Sequence, residues 1–350
     1  MNPGVANRYR GRYPRFGQVA VLCEGDCAGF ELDLLEKWLS SRDIFADVWP
    51  CGRKSDLFGM SDAIGRSIPI VVIEDRDHRS CEEAKRECEA KRDKRLKRSV
   101  RLQEWRSWRR NEIENYLIEP EVCVPVLSEA FDQPPDAIKH RLAQLIPQLA
   151  IDQAAQATIA IFVDRLPERG DFVPGLSRKE ARPQWDRVQM KFIVPEFGKV
   201  ETALRRVIQE KANSFRGALA PTDAPGLTEL LKKFGGLCSH WCKVDFNTPD
   251  WRIDWAGKDI LSILIRWLSG EFGWSVIGKT RERVDWANLS RDDADKCERD
   301  IMAVLQGYLV SSFLNAVATN NVPVEIREEW SEIAEIVRAA IKLGGGKSQR

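Results

Sequence analysis

Residues 70–78 read IVVIEDRDH. Ile70, Val71, Val72 and Ile73 are what a parallel strand buried on both faces looks like, and Glu74, Asp75 and Asp77 follow at once. Carboxylates crowded at the end of a buried strand repel one another and lose hydration. A divalent cation is the usual compensation, because hard cations take oxygen ligands. Glu24 ends an earlier apolar run, QVAVLCEG, and Glu112 and Glu114 lie in a third acidic block, RRNEIENYLIEPE. The whole sequence holds only 3 histidines, which disfavours a histidine base or a triad. No G-x-S-x-G elbow occurs. Acid-rich, histidine-poor chemistry points to metal ions that hold the reactive water or phosphate.

The elements needed to position these acids are readable around them. QVAVLC predicts a strand, and GFELDLLEKWLSSR predicts a helix with Phe30, Leu34, Leu35 and Trp38 on one face. FADVWPC predicts a second strand, DLFGMSDAIG a helix and IPIVVIEDRD a third strand. Strand, helix, strand, helix, strand is the pattern of a parallel α/β sheet. Such sheets bind ligands outside the carboxyl ends of their strands. If the first and third strands are neighbours, Glu24, Asp75 and Asp77 converge on one crevice. Glu74, facing the other way by alternation, is read as structural. A charged helix over about 81–98, a fourth strand near 102–108 and a helical turn capped by Asn111 are expected next. From about 122 onward the periodicity is helical almost throughout. The expected divisions are a basic tail at 1–17, an α/β domain at 18–125, a helical domain at 126–343 and a tail at 344–350.

The chain has 350 residues and a formal net charge of +1, so no excess charge by itself indicates an acidic partner. The stretch 79–110 is locally basic. Its interleaved glutamates suit a solvated helix, and Arg106, Arg109 and Arg110 suit phosphate contact. The 9 cysteines are scattered rather than framed. Cys238, His240 and Cys242 supply three zinc-type donors without a local fourth, so reduced thiols are the expectation. The tryptophans from Trp241 to Trp286 are expected in the core. No apolar run opens the sequence, and DILSILIRWL is too short and too charged to span a bilayer. A cytoplasmic protein without a membrane segment is expected.

VLCEGDCAGFELDLL, IVVIEDRD and RRNEIENYLIEPE, in this order and each at an expected strand end, resemble the TOPRIM domain of OLD-family nucleases. The nearer likeness is to the stand-alone branch found in anti-phage systems such as PARIS. The resemblance covers roughly 18–125, with a weaker match at Gly257 and Lys258. It implies a Mg²⁺ or Mn²⁺ site of one or two ions. Glu24 would serve as ligand or base, Asp75 and Asp77 as the D-x-D pair, and Glu112 and Glu114 as further ligands. Lys258 would lie near the scissile phosphate. Glu112 and Glu114 also suit a plain helix N-terminus. Where family members carry an acid four residues after the first glutamate, this sequence has Ala28; Asp26 or Glu31 would have to substitute, which leaves the second metal open. The implied function is a metal-dependent endonuclease, an effector of bacterial defence acting on DNA or RNA. An ABC-type ATPase is the partner the resemblance implies; the oligomeric state is open. The alternative is a degenerate TOPRIM-like binding module that acts through a partner protein. A topoisomerase or primase fits less well, as Tyr116 is the only tyrosine near the site.

Overall fold

A computed structural model describes residues 19–25, 30–52, 54–98, 100–164, 184–186, 191–214, 226–272 and 290–345. The expected tail at 1–17, together with Asp26, Ala28 and Trp286, lies outside the described residues. The elements run β1 (Ala20–Cys23), α1 (Phe30–Ser41), β2 (Asp47–Pro50), α2 (Lys54–Ile64), β3 (Ile70–Glu74), α3 (Cys81–Leu96), β4 (Leu102–Ser107), α4 (Glu114–Leu117) and α5 (Pro120–Phe131). There follow α6 (Pro135–Asp164), β5 (Gln184–Asp186), β6 (Lys191–Ile193), α7 (Phe197–Ser214) and α8 (Leu227–Trp241). The chain ends with α9 (Asp250–Ile253), α10 (Gly257–Phe272), α11 (Arg291–Ala318) and α12 (Val324–Gly345).

The chain forms two compact units, 1–126 with 303–350 and 127–302. In the first, β1 to β4 make a parallel sheet in the order β2-β1-β3-β4, so β1 and β3 are neighbours. The α/β class and the fourth strand are as expected. One face of the sheet buries Leu22, Trp49, Val72 and Trp105 with Leu57, Met60 and Cys88 from α2 and α3. α12 packs against β3 and β4. There Trp330 of α12 meets Trp38, Trp108, Tyr116 and Phe313 at ring-centroid distances of 4.9–5.8 Å. These aromatics explain why the last stretch of the chain joins the α/β unit: buried rings of this size dominate core energetics. The expected helical domain at 126–343 is corrected accordingly, because 303–343 belongs to the first unit.

Local chemistry accounts for the elements around the site. β3 is buried at every residue, as a central parallel strand must be. α3 starts at a capping box, in which the Ser80 side chain accepts from Glu83 N–H and the Glu83 carboxylate accepts from Ser80 N–H. Past β1 and β2 the chain stays paired through Gly25 and Gly52, which exchange backbone hydrogen bonds of 2.9 and 2.8 Å. Their φ values of 93° and 85° lie where a side chain would be strained. Asn111 is no helix cap; α4 begins at Glu114 without a side-chain cap.

Among its described residues the second unit is helical apart from β5 and β6, an antiparallel pair that the helical periodicity did not anticipate. In α11 the stretch Arg299–Ala318 is, by length and composition, long and apolar enough to cross a membrane. The reading of the sequence did not single out this stretch. Within the first unit this helix buries Leu305, Leu309, Phe313 and Val317.

Candidate functional site

Three strand ends of the parallel sheet converge where the topology requires. Glu24 follows β1, Asp75 follows β3, and Lys54 opens α2 just past β2. Glu24 and Asp75 are joined directly: the Asp75 N–H donates to Glu24 Oε1 at 2.9 Å. Glu31, in the first turn of α1, is buried, and its Oε1 accepts from the Trp108 indole N–H at 3.3 Å. Its Oε2 lies only 3.5 Å from where a Cβ on Gly25 would stand. That is ordinary van der Waals contact, so the glycine is needed here for its φ alone.

The electrostatics single out Asp75. Its residue surface is only partly covered, yet Oδ1 is sealed from solvent and has no hydrogen-bond partner among the described residues. Burial, then the charges of Glu24, Glu31, Glu114 and Asp77, push its carboxyl well above the usual range. Glu31 is raised as well, by burial and then by Glu24 and Glu114, against the Trp108 hydrogen bond. Glu24 rises to about 7: burial drives it up, Lys54 pulls it down, Asp77 and Glu74 push it up, and the Asp75 N–H offsets part of that. The carboxyls of Glu24, Glu31 and Asp75 are thus all shifted towards their protonated forms. Among the described residues, no lysine or arginine is ion-paired with Glu24, Glu31 or Asp75.

One residue earlier the situation reverses. The Glu74 carboxylate is fully buried and takes two bonds from Lys91 Nζ at 2.7 and 2.9 Å and one from the Trp105 indole at 2.9 Å. Arg79 and Lys54 stand at 3.5 and 3.6 Å. Asp77, expected beside Asp75 as a metal ligand, is instead paired with Lys54 at 2.6 Å, with Arg79 at 3.9 Å. Burial works to lower the Lys54 ammonium, but Asp77, Glu74 and Glu24 outweigh it and hold it at about 12.

The remaining expected residues divide. Glu114 joins the acid group through its charge on Asp75 and Glu31. Glu112 is held by its backbone, its N–H donating to Asn115 Oδ1 at 2.9 Å. Arg110 does not serve as a surface phosphate contact. It is buried, paired with Glu119, bonded to the Asn115 carbonyl at 3.1 Å and stacked on Tyr116 at 5.3 Å. Arg106 and Arg109 reach the surface, where both meet Glu332 of α12, at 3.3 and 2.7 Å. Lys258 is the second residue of α10 in the other unit. Of the zinc-type donors, Cys238 is buried and His240 bonds Asp250 at 3.0 Å. Lys54 was missed by the reading of the sequence. The signal for it was present, since it follows the second strand's carboxyl end just as Glu24 follows the first.

Among the described residues no three His, Cys, Asp or Glu side chains stand at spacings that would by themselves hold a metal ion. Mg²⁺ is commonly held by one or two carboxylates, with water and substrate phosphate filling the rest of its shell. The orphaned Asp75 Oδ1 beside Glu24, with Glu31 and Glu114 behind them, is a donor set of that chemistry. No protein-family model, no curated protein and no solved structure matches the chain.

Proposed function

We propose that the chain is a divalent-metal-dependent nuclease that hydrolyses phosphodiester bonds in DNA or RNA. One observation supports this reading: a sealed carboxylate oxygen, Asp75 Oδ1, with no hydrogen-bond partner among the described residues, set beside the Glu24 carboxylate. Such a group is costly in a merely structural role. Asp75 and Glu24 would hold Mg²⁺ or Mn²⁺. The ion supplies a polarised phosphoryl oxygen and a more acidic bound water.

This chain's own residues account for the rest. Glu24, fixed by the Asp75 N–H, would serve as metal ligand or as base towards water. Lys54 carries a full positive charge at the same rim and suits charge developing on phosphate. Arg106 in β4 and Arg109 just past it suit the nucleic-acid backbone. The resemblance to OLD-family TOPRIM nucleases supports the setting, an effector of bacterial anti-phage defence restrained by an ABC-type ATPase partner; that setting rests on family likeness alone.

The test is cleavage of plasmid DNA, single-stranded DNA and bulk tRNA by the purified chain with Mg²⁺ or Mn²⁺. Glu24→Gln and Asp75→Ala would be run beside the wild type. Loss of cleavage with chelator and with either substitution is the expected result. If the wild type neither cuts nor binds Mn²⁺, the catalytic reading is lost in favour of a binding module that works through a partner.

A further inference from the structure

Lys54 has a second feature that the acid group does not account for. Its ammonium stands at the end of β3 among three oxygens: Asp77 Oδ2 at 2.6 Å, the Asp75 main-chain oxygen at 2.9 Å and Glu74 Oε1 at 3.6 Å. Oxygens drawn from residues 74, 75 and 77 around one cationic centre would equally suit a hard metal ion. Here the centre is attached to the chain, and its side chain is only 15% exposed.

The backbone is bent to make this contact. Asp77 and His78 both adopt left-handed conformations, with φ of 52° and 61°, which is costly for residues other than glycine. Asn111 holds the bend. Its main-chain oxygen accepts from the N–H groups of Arg76 and Asp77 at 3.0 and 3.4 Å, and its side-chain oxygen accepts from His78 N–H. The bend places the Asp77 carboxylate, 46% exposed, on Lys54.

We infer that Lys54 is a resident cation: its ammonium fills the second of two cation positions at this strand end, so that a single dication at Glu24 and Asp75 completes the site. The inference rests on the metal-dependent reading above. In two-ion phosphodiester sites the paired ions, about 4 Å apart, share the charge of the attacking and leaving oxygens. A lysine offers one fixed charge and three N–H donors in place of an exchangeable ion. Asp77 then belongs to Lys54 and is not a metal ligand.

The test is Mn²⁺ binding to the full chain by calorimetry and by electron paramagnetic resonance, which reads stoichiometry without reference to activity. The wild type should bind one Mn²⁺. Asp75→Asn should weaken binding about tenfold or more, a typical loss for a perturbed metal shell. Asp77→Asn should leave the affinity within about threefold, well short of such a loss. Lys54→Met, which keeps the stem and removes the charge, should admit a second Mn²⁺, and Lys54→Arg should not. Two ions on the wild type would overturn the role of Lys54 while leaving the metal-dependent reading intact. So would a tenfold loss with Asp77→Asn, or a folded Lys54→Met that still binds one ion. No Mn²⁺ on the wild type would remove both. If circular dichroism shows Lys54→Met unfolded, the wild-type stoichiometry and Asp77→Asn decide the matter.

Discussion

Glu74 and Asp75 are adjacent acids at the end of one strand, and the protein treats them in opposite ways. Glu74 is enclosed by Lys91, Arg79, Lys54 and the Trp105 indole, so its buried charge is more than matched. Asp75 is surrounded by the charges of other acids and keeps one oxygen with no partner among the described residues. Strand alternation sends the two side chains to opposite faces, and the helices on those faces differ in charge. α3 brings Lys91 to one side and α1 brings Glu31 to the other. A buried carboxylate that has its own cations is part of the framework. One that lacks them is held ready for something that arrives later.

The sharpest way to break this comparison is to neutralise each acid in turn. Asp75→Asn should lower metal-dependent cleavage by on the order of 10²–10³-fold, the scale seen when one key electrostatic group is removed. The same change should leave the metal-free fold as stable as before or stabilise it by about 1 kcal/mol, since it relieves repulsion. Glu74→Gln should do the reverse and cost about 3–5 kcal/mol in urea unfolding, because buried lysines and an arginine lose their counter-charge. A Glu74→Gln protein of undiminished stability would show that the cations around it are not there to neutralise it.

Arg110 extends the same logic to the basic residues. Arg110→Ala should cost about 3–5 kcal/mol by stranding Glu119, measured by urea unfolding. Arg109→Ala should cost under about 1 kcal/mol, since its pair with Glu332 is exposed. If nucleic acid contacts this surface, Arg109→Ala should also flatten the salt dependence of binding in a gel-shift or anisotropy titration.

The acid group should also show in the pH dependence of stability. Glu24 ordinarily titrates at 4.5 and in the fold at about 7, so the folded state binds its proton more tightly than the unfolded chain. This contribution is fully present below about 4.5 and is lost as pH rises towards 7, amounting to at most about 3 kcal/mol. The difference in urea midpoint between wild type and Glu24→Gln, followed from pH 4.5 to 7 without metal, isolates it. A flat difference would mean that Glu24 is not buried among like charges. The smallest effect is expected at Glu332. Its replacement by Gln should change stability by under about 1 kcal/mol and free Arg106 and Arg109, tightening nucleic-acid binding in the same titration.

Much of the first unit could be read from the chain. The run IVVIE announced a central parallel strand, and the acids after QVAVLC and IVVI lie at the predicted end of adjacent strands. What escaped was set by contacts distant in sequence. Asp77 looked like a partner of Asp75 at two-residue spacing, but a left-handed turn held by Asn111 gives it to Lys54 instead. Arg110 looked like one more basic residue in a basic stretch, and only Glu119 and Tyr116 reveal it as buried framework. α12 looked like the last helix of a helical domain. Nothing local in its sequence says that Trp330 inserts between Trp38, Trp108 and Tyr116.

The sequence by itself determined the alternation of strands and helices, the parallel sheet it implies and the end of that sheet at which the acids gather. Those follow from periodicity and from the geometry of right-handed crossover connections, both local properties of the chain. Only the tertiary structure decided which acids are neutralised. That depends on which cation is carried into contact from elsewhere in the chain, as Lys91 and Lys54 are brought to Glu74 from 17 and 20 positions away. Charge pairing acts across a few ångströms of space and is indifferent to distance along the chain.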